Sequence, residues 1–291
     1  SMPGCCLKLR EMLSSFSAKE QQVAMFILDF PQDVINMSIE ELANACGTSV
    51  SSVVRMCKSA GYSGYKELCR MLSTDLAMNQ LETVSYNDVR PGDSVEAIFR
   101  SVCMSDIQAI ESTMTLLSIP ELEKAVDLIA NADRVDFYGV GTSGLVAQDA
   151  RNKFLRINKV SLPTADPHDQ ILTATTLKPG DVAVIISYTG DTRDILEAAD
   201  MIRQTGASII SITRYGKNPL TQRANIQLYA SSAETLIRSG AMGSRIAMLS
   251  IIDVLYTCVA SQNYDKVKRQ LDKTRLASMR KHINSSSRID E

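Results

Sequence analysis

The sequence predicts an all-α domain over residues 1–78, followed by an α/β domain whose five parallel strands form a doubly wound sheet. Helix-start signals crowd the first part: Ser17 stands three residues before Glu20, and Ser38 three before Glu41, the capping-box spacing. Beyond residue 130, short apolar runs bounded by turn residues alternate with helical patterns, as in a sheet covered on both faces. Between the two parts, "NQLETVSYNDVRPGDSV" (79–95) is polar and contains Pro91-Gly92, the composition of a linker.

Taking the helices in order, "SAKEQQVAMFILDFP" starts at Ser17, carries Val23, Ile27 and Phe30 at helical intervals, and stops at Pro31. "SIEELANACG" starts a short helix at Ser38 that Gly47 ends in a left-handed turn. Thr48 or Ser49 caps a third, "SVSSVVRMCKSAG", ended by Gly61. Ala43 is small enough for a close helix crossing, Gly47 supplies the turn four residues later, and Val53 points back inward six further on. That spacing fits a helix-turn-helix. Ile39, Leu42, Val50, Val54 and Cys57 complete the expected inner face, and Ser49, Ser51, Ser52, Arg55 and Lys58 the outer one.

Charge follows the same division. The net charge of −2 excludes a uniformly basic nucleic-acid binder, so any such face must be local. Residues 48–70 hold four basic side chains against one acidic, whereas residues 1–47 hold three against six. The positive potential therefore sits on the helix that would enter a DNA major groove. There Ser49, Ser51, Ser52 and Arg55 are expected to face base edges, and Lys58 and Lys66 phosphates. The competing reading is a small helical bundle for protein contacts, its charges merely solvated.

After the linker, helices are expected from about Ser94 to Leu117 and from Ile119 to Asn131. Strands are expected at 134–140, 159–163, 181–187, 207–213 and 225–230. Five such strands suit the order 2-1-3-4-5, which makes the first and third neighbours at a switch point where ligands bind beyond the carboxyl ends. The loops there are "GVGTSG" (139–144) and "SYTGDT" (187–192), each leading into a helix N-terminus. Backbone N–H groups at such ends favour an anion, and Thr142, Ser143, Ser187, Thr189 and Thr192 add donors without charge, while Gly190 lets the backbone come close. This chemistry suits the phosphate of a small ester, and the absence of lysine from both loops argues against a triphosphate-binding P-loop. Two alternatives stay open. The hydroxyls serve only as helix caps, or "GVGTSG" with Asp166 marks a dinucleotide site, which would leave the second hydroxyl cluster unexplained.

At 291 residues and 45% hydrophobic, the chain is long enough for more than one core. No apolar run is expected to reach the roughly 18 residues of a membrane span. "SMPGCCLKLREML" lacks the apolar centre of a signal peptide, so a cytoplasmic location without a membrane partner is expected. Ser1 before Met2 reads as the remnant of a cleaved tag. Seven cysteines without a C-x-x-C pair read as reduced thiols, and two histidines far apart in sequence offer no zinc spacing, so neither metal nor cofactor is expected.

The stretch "SIEELANACGTSVSSVVRMCKSAGYSGYKEL" resembles the winged helix-turn-helix of RpiR-type transcriptional regulators. "GVGTS", "DVAVIISYTGDTRDILEAA", "GASIISIT" and "SGAMGSRIAMLSIIDVLY" together resemble a sugar isomerase (SIS) domain. The resemblance runs over nearly the whole chain and implies a regulator that binds an operator in double-stranded DNA, senses a phosphorylated sugar, and works as a homodimer or homotetramer. It places phosphate-binding hydroxyls at Ser143, Ser187, Thr189 (more often serine) and Thr192. It sets His168 near the sugar, and Glu234 and Arg238 close to the sugar ring or a neighbouring subunit. The implied SIS domain spans 96–265 with its leading helices, and 266–291 is a basic tail expected to be partly disordered. Related SIS domains also occur in isomerases and lyases, for which Glu234 and His168 are the one plausible acid–base pair. A sensor without catalysis is the more economical account, because it also employs the first domain.

Overall fold

The computed structural model describes residues 4–79, 89–162, 165–231 and 242–286. The amino-terminal domain contains α1 (Cys5–Met12), a 3-10 turn, α2 (Ala18–Asp29), α3 (Pro31–Val34), α4 (Ile39–Cys46), α5 (Val50–Ser59) and α6 (Tyr65–Asn79). The helix starts lie where the hydroxyls predict them. Ser17 Oγ accepts from Glu20 N–H at 3.3 Å, Ser38 Oγ from Glu41 N–H at 3.1 Å and Ser49 Oγ from Ser52 N–H at 3.2 Å. The turn of the helix-turn-helix closes at Gly47 (φ 67°), with Thr48 N–H donating to Ala43 O at 2.9 Å. Leu9, Val23, Ile27, Leu42, Val53 and Leu72 are buried in one core.

Three expectations need correction here. No wing is formed among the described residues 4–79, which hold helices and no strand. Val50 is exposed rather than inward, whereas Met56 is buried. Ser52 lies 1% exposed, turned inward beneath α5 instead of outward beside Arg55. The third helix simply presents a different arc: Ser52, Val53, Met56 and Cys57 at helical spacing form its buried side.

The second domain begins with α7 (Val95–Leu116), capped by Ser94, and α8 (Ile119–Asn131), capped by Ser118. There follow β1 (Val135–Tyr138), α9 (Gly141–Leu155), α10 (Pro167–Ala174), β2 (Val182–Ile186), α11 (Arg193–Thr205), β3 (Ser208–Thr213), a 3-10 turn at Thr221–Arg223, and β4 (Ile226–Tyr229). Two long helices close the described chain, α12 (Met242–Gln262) and α13 (Tyr264–Ser286). All four strands are parallel, in the order β1-β2-β3-β4, with Tyr138 level with Ile185, Ile185 with Ser211 and Ile212 with Leu228. Helices α8, α9 and α12 cover one face of the sheet, α10 and α11 the other. β1 and β2 are buried throughout, the reason their sequence is continuously apolar.

Over its described part, 159–162, the expected strand at 159–163 is not formed. It contributes a single parallel bridge, Arg134 with Val160, on the free side of β1, so the described sheet has four strands and not five. Side chains replace the missing ladder. Asp136 accepts from Arg134 at 2.7 Å, from the Tyr138 hydroxyl at 2.9 Å and from Leu162 N–H at 3.2 Å.

Residues Gly243–Gln262 of α12 are, contrary to expectation, long and apolar enough to cross a membrane by length and composition. Here the helix is a core element: Ala247, Met248, Ile251, Ile252, Leu255 and Val259 are buried against the sheet and its neighbouring helices. The part of the tail that is described is helical, α13 continuing to Ser286.

Candidate functional site

Because β1 and β2 are paired in parallel register, the loops that leave them stand side by side at one end of the sheet. The first turns sharply into α9. A Cβ on Gly139 would stand 2.5 Å from the carbonyl oxygen of Ser143, so only glycine allows the helix to start this close to the strand. Thr142 and Ser143 occupy the first turn of α9, half-buried, and neither hydroxyl has a hydrogen-bond partner among the described residues. Gln170 of α10, 2% exposed, donates to Gly139 O at 2.7 Å and pins this loop from the opposite face.

The second loop is more closely bonded. Ser187, nearly buried, accepts from Gly190 N–H at 3.2 Å and lies 3.4 Å from the Thr192 hydroxyl. Thr192 holds the N-cap position of α11, yet its side chain makes no capping bond. Two of the five hydroxyls are thus turned to each other across the mouth of a helix whose first N–H groups have no side-chain acceptor. Thr189 is exposed and accepts from Asp191 N–H at 3.3 Å. Gly190 (φ 67°) packs so tightly on Asn218 that a Cβ would meet its Oδ1 at 2.0 Å.

The structure therefore gathers Thr142, Ser143, Ser187, Thr189, Gly190 and Thr192 at adjoining strand ends. His168 is exposed near the start of α10, whose N-cap is Asp166, accepting from His168 N–H at 2.8 Å and Asp169 N–H at 3.3 Å. Asp166 is thus engaged in capping a helix, which weakens the dinucleotide reading. Glu234 and Arg238 fall outside the described residues.

One residue beside this site escaped the sequence reading. Arg214, immediately after β3, donates its backbone N–H to Tyr188 O at 2.7 Å and its Nε–H to Thr189 O at 3.3 Å, and its Nη1 is buried with no partner. The signal in the sequence is slight, an arginine ending the apolar run "SIISIT". It supplies the cation missing from both hydroxyl loops.

On the other domain, Ser49, the N-cap of α5, is exposed, as are Ser51, Arg55 and Lys58 on α5 and Lys66 on α6. Ser52 is below them and accepts from Arg55 Nη2 at 3.2 Å, so it orients the arginine from the buried side.

Comparison with known proteins agrees with both halves. The model of the helix-turn-helix domain of the rpiR family matches residues 4–79, and that of the SIS domain matches 128–258. An uncharacterized HTH-type transcriptional regulator of Caldanaerobacter subterraneus is 43% identical over 95% of this chain and 98% of its own length. HexR, an HTH-type transcriptional regulator of Pseudomonas aeruginosa, is 35% identical over 87% of each chain. Among solved structures, Vibrio vulnificus NanR complexed with ManNAc-6P superposes with a TM-score of 0.59 at 26% identity, covering 94% of this chain and 98% of that one. Fold and relatives together define a helix-turn-helix transcriptional regulator with a SIS domain. The chain belongs to the rpiR family of such regulators.

Proposed function

We propose that the protein binds operator DNA through α5 and changes that binding when a phosphorylated sugar occupies the loops 139–144 and 187–192. The observation that carries this reading is the Ser187–Thr192 pair. The two hydroxyls face each other at a helix N-terminus without serving as caps, where an anion gains both donors and the helix dipole. Thr142 and Ser143 stand on the adjoining loop at the start of α9, Thr189 and Gly190 complete the second loop, and His168, Glu234 and Arg238 are assigned to the sugar moiety. The ManNAc-6P held by NanR supports the substance class, a sugar 6-phosphate. A regulator rather than an isomerase or lyase is favoured by the regulator names of the relatives.

On the DNA side, Arg55 reads a base edge with Ser49 and Ser51 beside it, and Lys58 and Lys66 contact phosphates. The protein acts as a homo-oligomer: Val95, Phe99, Ile107 and Met114 leave an apolar stripe along α7 exposed at 85%, 66%, 45% and 73%. A DNA-bound role places the protein with the chromosome, in the cytoplasm of a bacterial cell. The test is a thermal-shift panel of sugar 6-phosphates with their unphosphorylated sugars as controls. A phosphorylated compound that binds the native state raises Tm, and a panel in which phosphate makes no difference removes the reading.

A further inference from the structure

The two domains meet at the carboxyl ends of β3 and β4, beside the hydroxyl loops. Tyr215, in the loop 214–220 after β3, packs against the helix-turn-helix core and sets its ring 5.0 Å from that of Tyr229. Next to it, Met12 of α1 lies over Gly216, its Cγ 3.4 Å from where a Cβ would stand. A second contact follows β4, where the hydroxyl of Ser231 donates to the buried carboxylate of Glu11 of α1 and Ser231 N–H donates to Thr113 of α7 at 3.0 Å. Beside these contacts an interdomain cleft of about 460 Å³ runs between Lys8 and Gly61 on one side and Lys217 and Tyr229 on the other.

The same loop grips the hydroxyl site with its other side. Arg214 holds the carbonyls of Tyr188 and Thr189, Leu220 N–H donates to Gly190 O at 3.0 Å, and the buried Asn218 fills the space above Gly190. Asn218 is fixed in turn, donating from Nδ2 to Thr213 Oγ1 at 3.0 Å and accepting from Thr221 N–H at 2.9 Å. There is no slack between Gly190 and Asn218, so a shift of the 187–192 backbone must move the 214–220 loop as well.

We propose that the loop 214–220 couples the two domains: Arg214 and Asn218 register the position of the 187–192 loop, and Tyr215 and Gly216 transmit it to α1 of the DNA-binding domain. This rests on the effector reading above and adds its route. The physical source of the bias is Arg214. A buried guanidinium N–H without an acceptor is unfavourable, and an anion held by the adjoining 187–192 loop compensates its charge. The sugar phosphate then shifts a two-state equilibrium by the difference in its affinity for the two positions. Glu11 with Ser231 is the second contact that the shift must adjust.

The experiment uses the full chain, its operator obtained by in vitro selection, and as probes glucose 6-phosphate, fructose 6-phosphate and N-acetylmannosamine 6-phosphate. Wild type, Tyr215→Ala and Ser231→Ala are compared for Tm shift and for operator affinity with and without each probe. In wild type the effective probe is expected to change operator affinity by about 5- to 150-fold. In Tyr215→Ala that response falls below about twofold, while probe binding and probe-free operator binding stay within about twofold of wild type. Hydrogen exchange on wild type is expected to show altered protection at 214–220 and in α1 when the probe is bound. If no probe stabilises wild type, the effector reading falls and the coupling with it. If probes bind and Tyr215→Ala still responds fully, the coupling alone is wrong. Should Tyr215→Ala not fold, Ser231→Ala and the exchange data decide: a full response in the serine variant with unchanged protection at 214–220 overturns the proposal.

Discussion

Ser187 and Ser52 show how little a side chain's identity says without its setting. Both are serines on helix or loop segments rich in hydroxyls, both are almost fully buried, and their tasks differ. Ser187 lines the proposed anion site, and Ser187→Ala with Thr192→Ala is expected to abolish the Tm shift by sugar phosphates while leaving probe-free operator binding intact, measured by thermal shift and by fluorescence anisotropy. Loss of operator binding without any probe would return these hydroxyls to a purely structural role. Ser52 instead steadies Arg55. Arg55→Ala is expected to weaken operator binding by about 1–3 kcal/mol and relax specificity at one base pair per half-site, read by selection and sequencing. Lys58→Ala, by contrast, is expected to weaken all sequences alike and to lower the salt slope by about one. The thiols divide in the same way. Burial pushes Cys5 and Cys57 up to about 12, so they should resist alkylation at neutral pH in the folded protein, whereas Cys103 is exposed.

Among the elements, β1 depends most on a single side chain. Its outer neighbour gives it one bridge only, and Asp136 makes up the difference by accepting from Arg134, Tyr138 and Leu162 in a buried position. Removing one partner of a buried ion pair leaves the other charge uncompensated, so Asp136→Ala is expected to cost about 3–5 kcal/mol in urea unfolding. A cost under about 1 kcal/mol would mean that water replaces the carboxylate without strain. Helix α1 presents the opposite case. It begins at Gly4 with no side-chain cap of its own, and Asp75 of α6 accepts from Cys6 N–H at 2.7 Å instead. A cap supplied from 69 residues away leaves no mark in the local sequence, which is why this helix, and with it the interdomain contacts of Glu11 and Met12, went unread.

For the whole molecule, the proposed assembly turns on α7. Its inner side packs on α12, and its outer side shows Val95, Phe99, Ile107 and Met114 to solvent. Phe99→Glu should shift the protein to a smaller species in size exclusion with light scattering, and should speed alkylation of Cys103, one turn along the same face. Unchanged mass and unchanged labelling would remove α7 as a subunit contact.

What the sequence by itself determined is what short spacing controls. Capping hydroxyls at Ser17, at Ser38 and at Thr48 or Ser49 marked three helix starts, and the run "DVAVIIS" marked a strand buried on both faces. The two hydroxyl loops were legible because parallel strands joined by helices must bring alternate loops to one end of the sheet. Only the tertiary structure decided the rest: that Ser52 faces inward, that the strand at 159–163 shrinks to a bridge, and that Arg214 and Asn218 clasp the hydroxyl loop while Tyr215 beside them meets the DNA-binding core. Those outcomes depend on which surfaces compete for burial across long stretches of chain, and no local period encodes that competition.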